Sequence, residues 1–390
     1  MIGSRVVVIG GGFAGVSCIR TLRESSSSLR LTLVDPARDS LFRPLLPDVI
    51  AGKIALRRLL FPLKRFCADL GVEFVEGAGE RLRDDASLLL AGGREIPFDH
   101  LAIAVGADPA FYGNEPARKL SLTLYSAADA ARLTERADRI LAGDRPHVFV
   151  VVGGGYTGLE TATALAYRIR RALPPQRRSR FSVRIVELAP RILGRLGDLF
   201  ALPAARETER MGIEILTSAR IGEIAPDQIE INGEKIRDYT LLWSAGVKAA
   251  DFIRTIDSPK DKQGRLTVQP DLRLPGKENI YALGDCASFP SPQGDLRMAV
   301  QFSWAQGAAA GRNILRRIRG EPALPYRPRD RGYLIPLASG KAWGEVMGTP
   351  VGGRLGSFLH YFMCIYRTHL FSARLGIVSD LFLALFPRVL

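Results

Sequence analysis

An α/β chain with two parallel-sheet units and a helical C-terminal segment is what this sequence predicts. Three observations carry that expectation. A strand, a glycine loop, a helix and a second strand follow one another near the N-terminus; the same pattern returns about 140 residues later; and the last forty or so residues alternate apolar and aromatic clusters with arginines.

The first copy reads RVVVIGGGFAG over Arg5 to Gly15: a buried-type strand, then Gly10, Gly12 and Gly15 in GxGxxG spacing, then a helix pattern through Leu22. The strand LRLTLVD follows and ends on Asp35. In a βαβ unit of this kind the first glycine permits the tight turn, the second lets backbone approach a pyrophosphate, and the third lets the helix pack on the strand. The helix dipole then favours the phosphates, and a carboxylate at the position of Asp35 accepts from ribose hydroxyls. These features predict a Rossmann-like dinucleotide-binding domain.

The second copy, HVFVVVGGGYTGLETATALAYRI, carries Gly153, Gly155 and Gly158, and its following strand FSVRIVE ends on Glu187. Each copy closes on a short apolar strand that enters a small-residue turn, at Gly106 in the first and Gly246 in the second. A lone GxGxxG is weak evidence, whereas two in register, each with its acidic strand end, predict two dinucleotide sites. Further on, a strand over Asn279 to Leu283 runs into Gly284-Asp285, with an apolar helix from about Met298. Asp285 has two readings here: a ligand contact beside a helix N-terminus, or a turn aspartate capping its own helix.

Composition narrows the function. The net charge is +14, from 54 Lys and Arg against 40 Asp and Glu, which favours an anionic partner, either nucleic acid or a phosphate-bearing bilayer surface. The basic groups at 57–65 and 168–180 read as solvated surface without a nucleic-acid motif, so no nucleic acid is expected. The four cysteines, Cys18, Cys67, Cys286 and Cys364, form no CxxC pair, and the four histidines show no metal-motif spacing, so no metal site is expected. No export signal is read at the N-terminus, and no run reaches the roughly 18 apolar residues of a spanning helix.

With these segments in place, the chain resembles the two-dinucleotide-binding flavoprotein superfamily and, within it, the type II NADH dehydrogenases, single-chain NADH:quinone oxidoreductases. The likeness is carried by VVVIGGGFAG, SLFRPLLPDVIAG, AVGADPAFYG, VVVGGGYTGLETA, VELAPRIL, WSAGV, NIYALGDCA and VQFSWAQGAAAGRNI. It implies FAD on the first loop with Asp35 and Asp285, and NADH on the second. It also implies an NADH domain (116–249) inserted in an FAD domain (1–115 and 250–325), followed by a membrane-docking segment (326–390). The implied setting is peripheral, on the cytoplasmic face of the inner membrane, with transfer from NADH through flavin to a membrane quinone and no proton pumping.

Hydride transfer to flavin needs ring alignment and water exclusion rather than an acid–base residue, so no triad is required. The resemblance places Glu160 near the nicotinamide and the quinone-facing side of the flavin; the alternative is favourable charge near a helix N-terminus. Glu187 predicts NADH over NADPH, because a carboxylate accepts from a 2′-hydroxyl and repels a 2′-phosphate; Arg191 would soften that choice. Gln301 matches the first glutamine of the family's AQxAxQ helix, but Ala305 stands where the second belongs, which leaves the acceptor open. Neighbouring Gln306 would substitute only on a rotated helix. A sulfide:quinone-type or disulfide-reducing relative is disfavoured because no cysteine lies between Cys67 and Cys286. A flavin-bound, NADH-sensing binding module is a further alternative.

The tail from Gly353 interleaves Leu, Phe, Tyr, Met and Ile with Arg354, Arg367, Arg374 and Arg388. That pattern predicts one or two amphipathic helices lying in a membrane interface and drawn to anionic lipid. The other occupants of such a face are the protein's own core or a second copy in a homodimer.

Overall fold

The computed structural model describes residues 3–385 apart from 195, 292, 293 and 369. Arg388 therefore lies outside the described residues. Packing divides the chain into two compact units, 1–40, 61–108 and 247–330 in one and 41–60, 109–246 and 331–390 in the other.

The first unit holds a five-stranded parallel sheet in the order Ile280–Ala282, His100–Ile103, Arg5–Ile9, Arg30–Asp35, Glu73–Glu76. The run VVVI is buried on both faces, as a central parallel strand must be, which is why it reads as continuously apolar. The helix Phe13–Ser25 follows the glycine loop and packs on the helix Val300–Ile318. Small residues set that approach. A Cβ on Gly307 would stand 2.1 Å from the Ala14 carbonyl oxygen, and one on Gly311 would stand 3.1 Å from that of Cys18.

The second unit repeats the plan with a four-stranded parallel sheet, Ile213–Leu216, Phe181–Val186, His147–Val152, Tyr239–Trp243. A three-stranded antiparallel sheet over residues 221–237 contributes Ile224, Ile229, Ile231 and Ile236 to a core shared with Val150, Leu241 and Trp243. Near the C-terminus, the antiparallel strands Gly332–Leu337, Lys341–Val346 and Thr349–Val351 carry the helix Gly353–Arg367. The helix Phe371–Ala384 follows.

These boundaries depart most from the expected ones at two places, with shifts of a few residues at 109–115, 247–249 and 326–330. Residues 41–60 join the second unit because the short helix Leu46–Ile50 packs on the helices Ala127–Ala142 and Tyr156–Ala172. From residue 331 the C-terminal segment likewise belongs to that unit, anchored where the Asp380 carboxylate accepts from the Ala55 N–H at 3.0 Å and pairs with Arg58 at 3.6 Å.

The helix contact at Gly307 yields a direct expectation. Gly307→Ala must push the two helices apart or distort them, at a cost of about 1–3 kcal/mol. Thermal unfolding of the purified protein should show a lowered midpoint, and an unchanged midpoint would contradict the packing described.

Candidate functional site

The two glycine loops are superposable in their contacts. Gly10 has φ +105° and Gly153 φ +107°; a Cβ would come within 2.3 Å of the Ala104 carbonyl oxygen in the first and 2.5 Å of Ser244's in the second. Only glycine fits such a conformation and clearance. The third glycines pack equally closely: a Cβ on Gly15 would lie 1.8 Å from the Gly10 oxygen, and one on Gly158 would lie 1.9 Å from that of Gly153. The middle glycines behave differently. Around a Cβ at Gly12 or Gly155 there is nothing within 4 Å, so the loop backbone is open there to a ligand.

Gly12 and Gly155 are also the N-caps of the helices Phe13–Ser25 and Tyr156–Ala172, so neither helix start is closed by a capping side chain. Two helix N-termini, each beneath an open glycine, form cradles suited to a pyrophosphate. Gly106 and Gly246 follow the strands His100–Ile103 and Tyr239–Trp243 in the first and second units.

Asp35 and Glu187 do more than the sequence suggests. The Gly11 N–H donates to Asp35 Oδ2 at 2.5 Å and the Ala37 N–H to Oδ1 at 2.7 Å. In the second unit the Gly154 N–H donates to Glu187 Oε2 at 2.6 Å and the Ala189 N–H to Oε1 at 2.7 Å. Each carboxylate thus ties its glycine loop to the end of the neighbouring strand. A carboxylate has about four acceptor sites, so this tethering is compatible with accepting from ribose hydroxyls as well. Arg191 is committed elsewhere, to Asp198 at 2.5 Å and to the carbonyls of Gly194 and Leu196.

Beyond the strand Ile280–Ala282, the chain makes a short 3-10 turn, Gly284–Cys286, and the helix begins at Val300. Ser303 on the first turn of that helix donates to Asp285 Oδ1 at 3.2 Å, bringing the aspartate to the helix start. Gln306 is buried and accepts the Gly284 N–H at 2.6 Å. It supports the Asp285 turn, a role the sequence did not reveal. Gln301 lies on another face, where its Nε2 donates to Asp330 at 3.0 Å beside the Arg297–Asp330 ion pair.

Glu160 sits in the second turn of the helix Tyr156–Ala172, half-buried in the second unit. Burial, with a further contribution from the negative charge of Asp48, pushes its carboxyl up to about 8. The positive end of a helix dipole favours the ionised form, so here desolvation outweighs the dipole. Glu160 is therefore mostly a protonated acid at neutral pH.

The cysteines are four separate buried thiols. Burial pushes Cys18 and Cys67 up to about 12 and Cys286 to about 11, and it raises Cys364 too. Cys286 donates to the carbonyls of Leu283 and Ile103. None has the thiolate character that sulfur chemistry requires.

The family model for pyridine nucleotide-disulphide oxidoreductases matches residues 4–310. The chain belongs to that family. It keeps the nucleotide loops and, with its isolated thiols, lacks the disulphide in the family's description. A type II NADH:quinone oxidoreductase of Staphylococcus aureus (strain NCTC 8325 / PS 47) is 26% identical over 376 residues, covering 91% of this chain and 92% of the relative. The fold is shared with the structure of NDH2 from Plasmodium falciparum in complex with NADH, at a TM-score of 0.87, 16% identity and 98% coverage of both chains. It is also shared with the sulfide:quinone oxidoreductase from Aquifex aeolicus, at 0.80 and 20% identity, with 100% of this chain and 96% of that one covered.

The strand-end tethers can be tested by substitution. Glu187→Ala strips two N–H groups of their charged acceptor and should cost about 2 kcal/mol of stability. Calorimetry that shows no loss would separate Glu187 from the loop's integrity.

Proposed function

We propose that this chain is an FAD-dependent type II NADH:quinone oxidoreductase, taking two electrons from NADH and delivering them to a membrane quinone without pumping protons. The observation that carries the reading is the duplicated cradle: two open glycine loops, each above an uncapped helix start and each tied to a strand-end carboxylate. The Staphylococcus aureus relative, similar along nine-tenths of the chain, supports the same activity.

In this reading Gly10, Gly12 and Gly15 hold the FAD pyrophosphate, Asp35 its ribose, and Gly106 and Asp285 line the remainder of that site. Gly153, Gly155 and Gly158 hold NADH, with Glu187 on its ribose and Gly246 beside the bound cofactor. Bound flavin supplies the two-electron carrier that accepts hydride from reduced nicotinamide. NADH is favoured over NADPH, since Glu187 repels a 2′-phosphate and Arg191 is already engaged by Asp198.

A quinone becomes a quinol by taking two protons along with two electrons. Glu160 holds one proton at neutral pH and gives it up above about 8, a poise suited to general-acid work. Gln301 belongs at the acceptor side, and the Ala305 departure is read as a change in headgroup preference. The deciding experiment is anaerobic: reduce the purified flavoprotein with NADH, then add ubiquinone, menaquinone or a soluble acceptor. Prompt reoxidation by a quinone supports the assignment, and flavin left reduced by every quinone rejects it.

The helix Gly353–Arg367 exposes Leu355, Phe358, Phe362 and Tyr366 at 61%, 64%, 56% and 67%, a stripe at helical spacing, while Gly356, Ser357 and Cys364 face inward. Phe371, Leu375, Phe382 and Leu383 extend the exposed apolar surface onto the next helix. Among the described residues no helix is long and apolar enough to cross a membrane. With the basic net charge, the reading is a peripheral enzyme lying on an anionic lipid surface at the cytoplasmic face of the inner membrane.

Two expectations follow from these assignments. Glu160→Gln should retain flavin, lower turnover on the order of 100-fold, and abolish the decline in rate as pH rises through about 8; unchanged kinetics would remove Glu160 from the reaction. Phe358→Ser and Phe362→Ser should each weaken co-sedimentation with anionic vesicles about tenfold. Absence of vesicle binding together with a concentration-dependent dimer would assign the stripe to a second copy of the chain.

A further inference from the structure

A helix packed against the one that bears Glu160 carries a buried carboxylate that the redox reading does not use. Asp48, on the short helix Leu46–Ile50, is buried in the second unit, and this helix packs on the one that carries Glu160. Tyr361, from the C-terminal helix Gly353–Arg367, donates its hydroxyl to Asp48 Oδ1 at 2.6 Å. The Lys53 ammonium stands 3.9 Å from the same oxygen, donates to the Ala338 carbonyl at 2.9 Å and lies 4.6 Å from the centre of the Tyr167 ring. Elements far apart in sequence thus converge on one carboxylate.

The charge state of this cluster is simple. Burial holds Asp48 above the ordinary carboxylate range, and Lys53 and the Tyr361 hydroxyl pull it only part of the way back toward the anion. Tyr361 is pushed well above its ordinary range and stays a neutral donor. His360, 3.6 Å from Cys364, is lowered to about 4 by burial and the nearby Lys53, and the Cys364 thiol is raised by burial. Arg168, on the Glu160 helix, is bound to the Ile50 carbonyl and Asp138. Between pH 6 and 9, therefore, the neutral His360, Cys364 and Tyr361 contribute no changing charge, and the Asp48 charge adds to burial in raising Glu160.

We propose that Asp48 is a positioning residue for the proton on Glu160: its buried carboxylate, held by Tyr361 and Lys53 on a helix packed against the Glu160 helix, adds to burial in favouring the acid form of Glu160. Tyr361 makes the C-terminal helix part of that arrangement. The inner side of this helix thus reaches Asp48, while its outer side carries the exposed Leu355–Tyr366 stripe. The inference rests on Glu160 as the proton-carrying group, and its test separates the two claims.

The readout is the carboxylic-acid C=O infrared band of the oxidised holoenzyme, titrated from pH 6 to 10 and assigned to Glu160 by its loss in Glu160→Gln. In Asp48→Asn, removal of that charge should move the midpoint down by about one pH unit, a typical size for a like-charge influence. Tyr361→Phe should move it the same way by less, because Asp48 then takes up its own proton more readily. Flavin content checks that each variant is folded; if Asp48→Asn fails that check, Tyr361→Phe decides. A band midpoint that stays in place in the folded variants overturns the proposal. If the alkaline fall in turnover persists in Glu160→Gln, the proton-carrier reading fails separately, whatever the band does.

Discussion

The structure depends most on a carboxylate at the end of a strand meeting the N–H of a glycine in the adjacent loop. Asp35 does this for Gly11, and Glu187 does it for Gly154, at nearly the same distance. A loop with this many glycines has a large conformational freedom to lose, and a charged hydrogen bond to its centre is a local way to offset that loss. Once the loop is fixed, its first and third glycines can pack without side chains against the backbone below, and the helix start beneath it points at the open middle glycine. The acidic residue therefore acts first as an architectural group, and a carboxylate keeps further acceptor sites beyond the two N–H groups it ties down.

The helix Tyr156–Ala172 shows how one element serves several ends. Its N-terminus is the floor of the second cradle, its second turn carries Glu160, and Arg168 further along binds the Ile50 carbonyl and Asp138. The third of these contacts holds the short helix bearing Asp48 in place. A proton-holding group is thereby built on a rigid helix rather than on a loop. Its acidity is set by packing, since burial is the larger of the two influences on Glu160 and the facing charge the smaller.

Much of the fold was legible because the glycine pattern is a record of steric contacts. Gly10, Gly15, Gly153 and Gly158 stand where a Cβ would overlap a carbonyl oxygen, and that requirement leaves the same mark in both copies. The central strands of the two parallel sheets were legible from their apolar runs, whereas the antiparallel strands over 221–237 and 332–351 were not. The Asp48 site was not, since residues 48, 53, 160 and 361 share no spacing, and their association exists only after the helices pack. Its one sequence signal was a lone carboxylate within the apolar stretch PLLPDVIAG. Gln306 escaped for a related reason: an amide on a helix looks the same whether it faces solvent or, as here, accepts the Gly284 N–H. The allocation of 41–60 to the second unit likewise follows from tertiary packing, and neither composition nor spacing marks it.

The interrupted first unit has a consequence for how the chain is made. Its parallel sheet is completed on one edge by Ile280–Ala282, and its first helix packs on Val300–Ile318. The parallel sheet of the second unit, by contrast, has all its strands once Trp243 has been added. During synthesis from the N-terminus, the later-starting sheet is the first whose strands are all available, and the earlier-starting one waits with an unpaired edge and a bare helix face. Ribosome-bound chains of intermediate length would thus carry a finished second nucleotide sheet beside an unfinished first one.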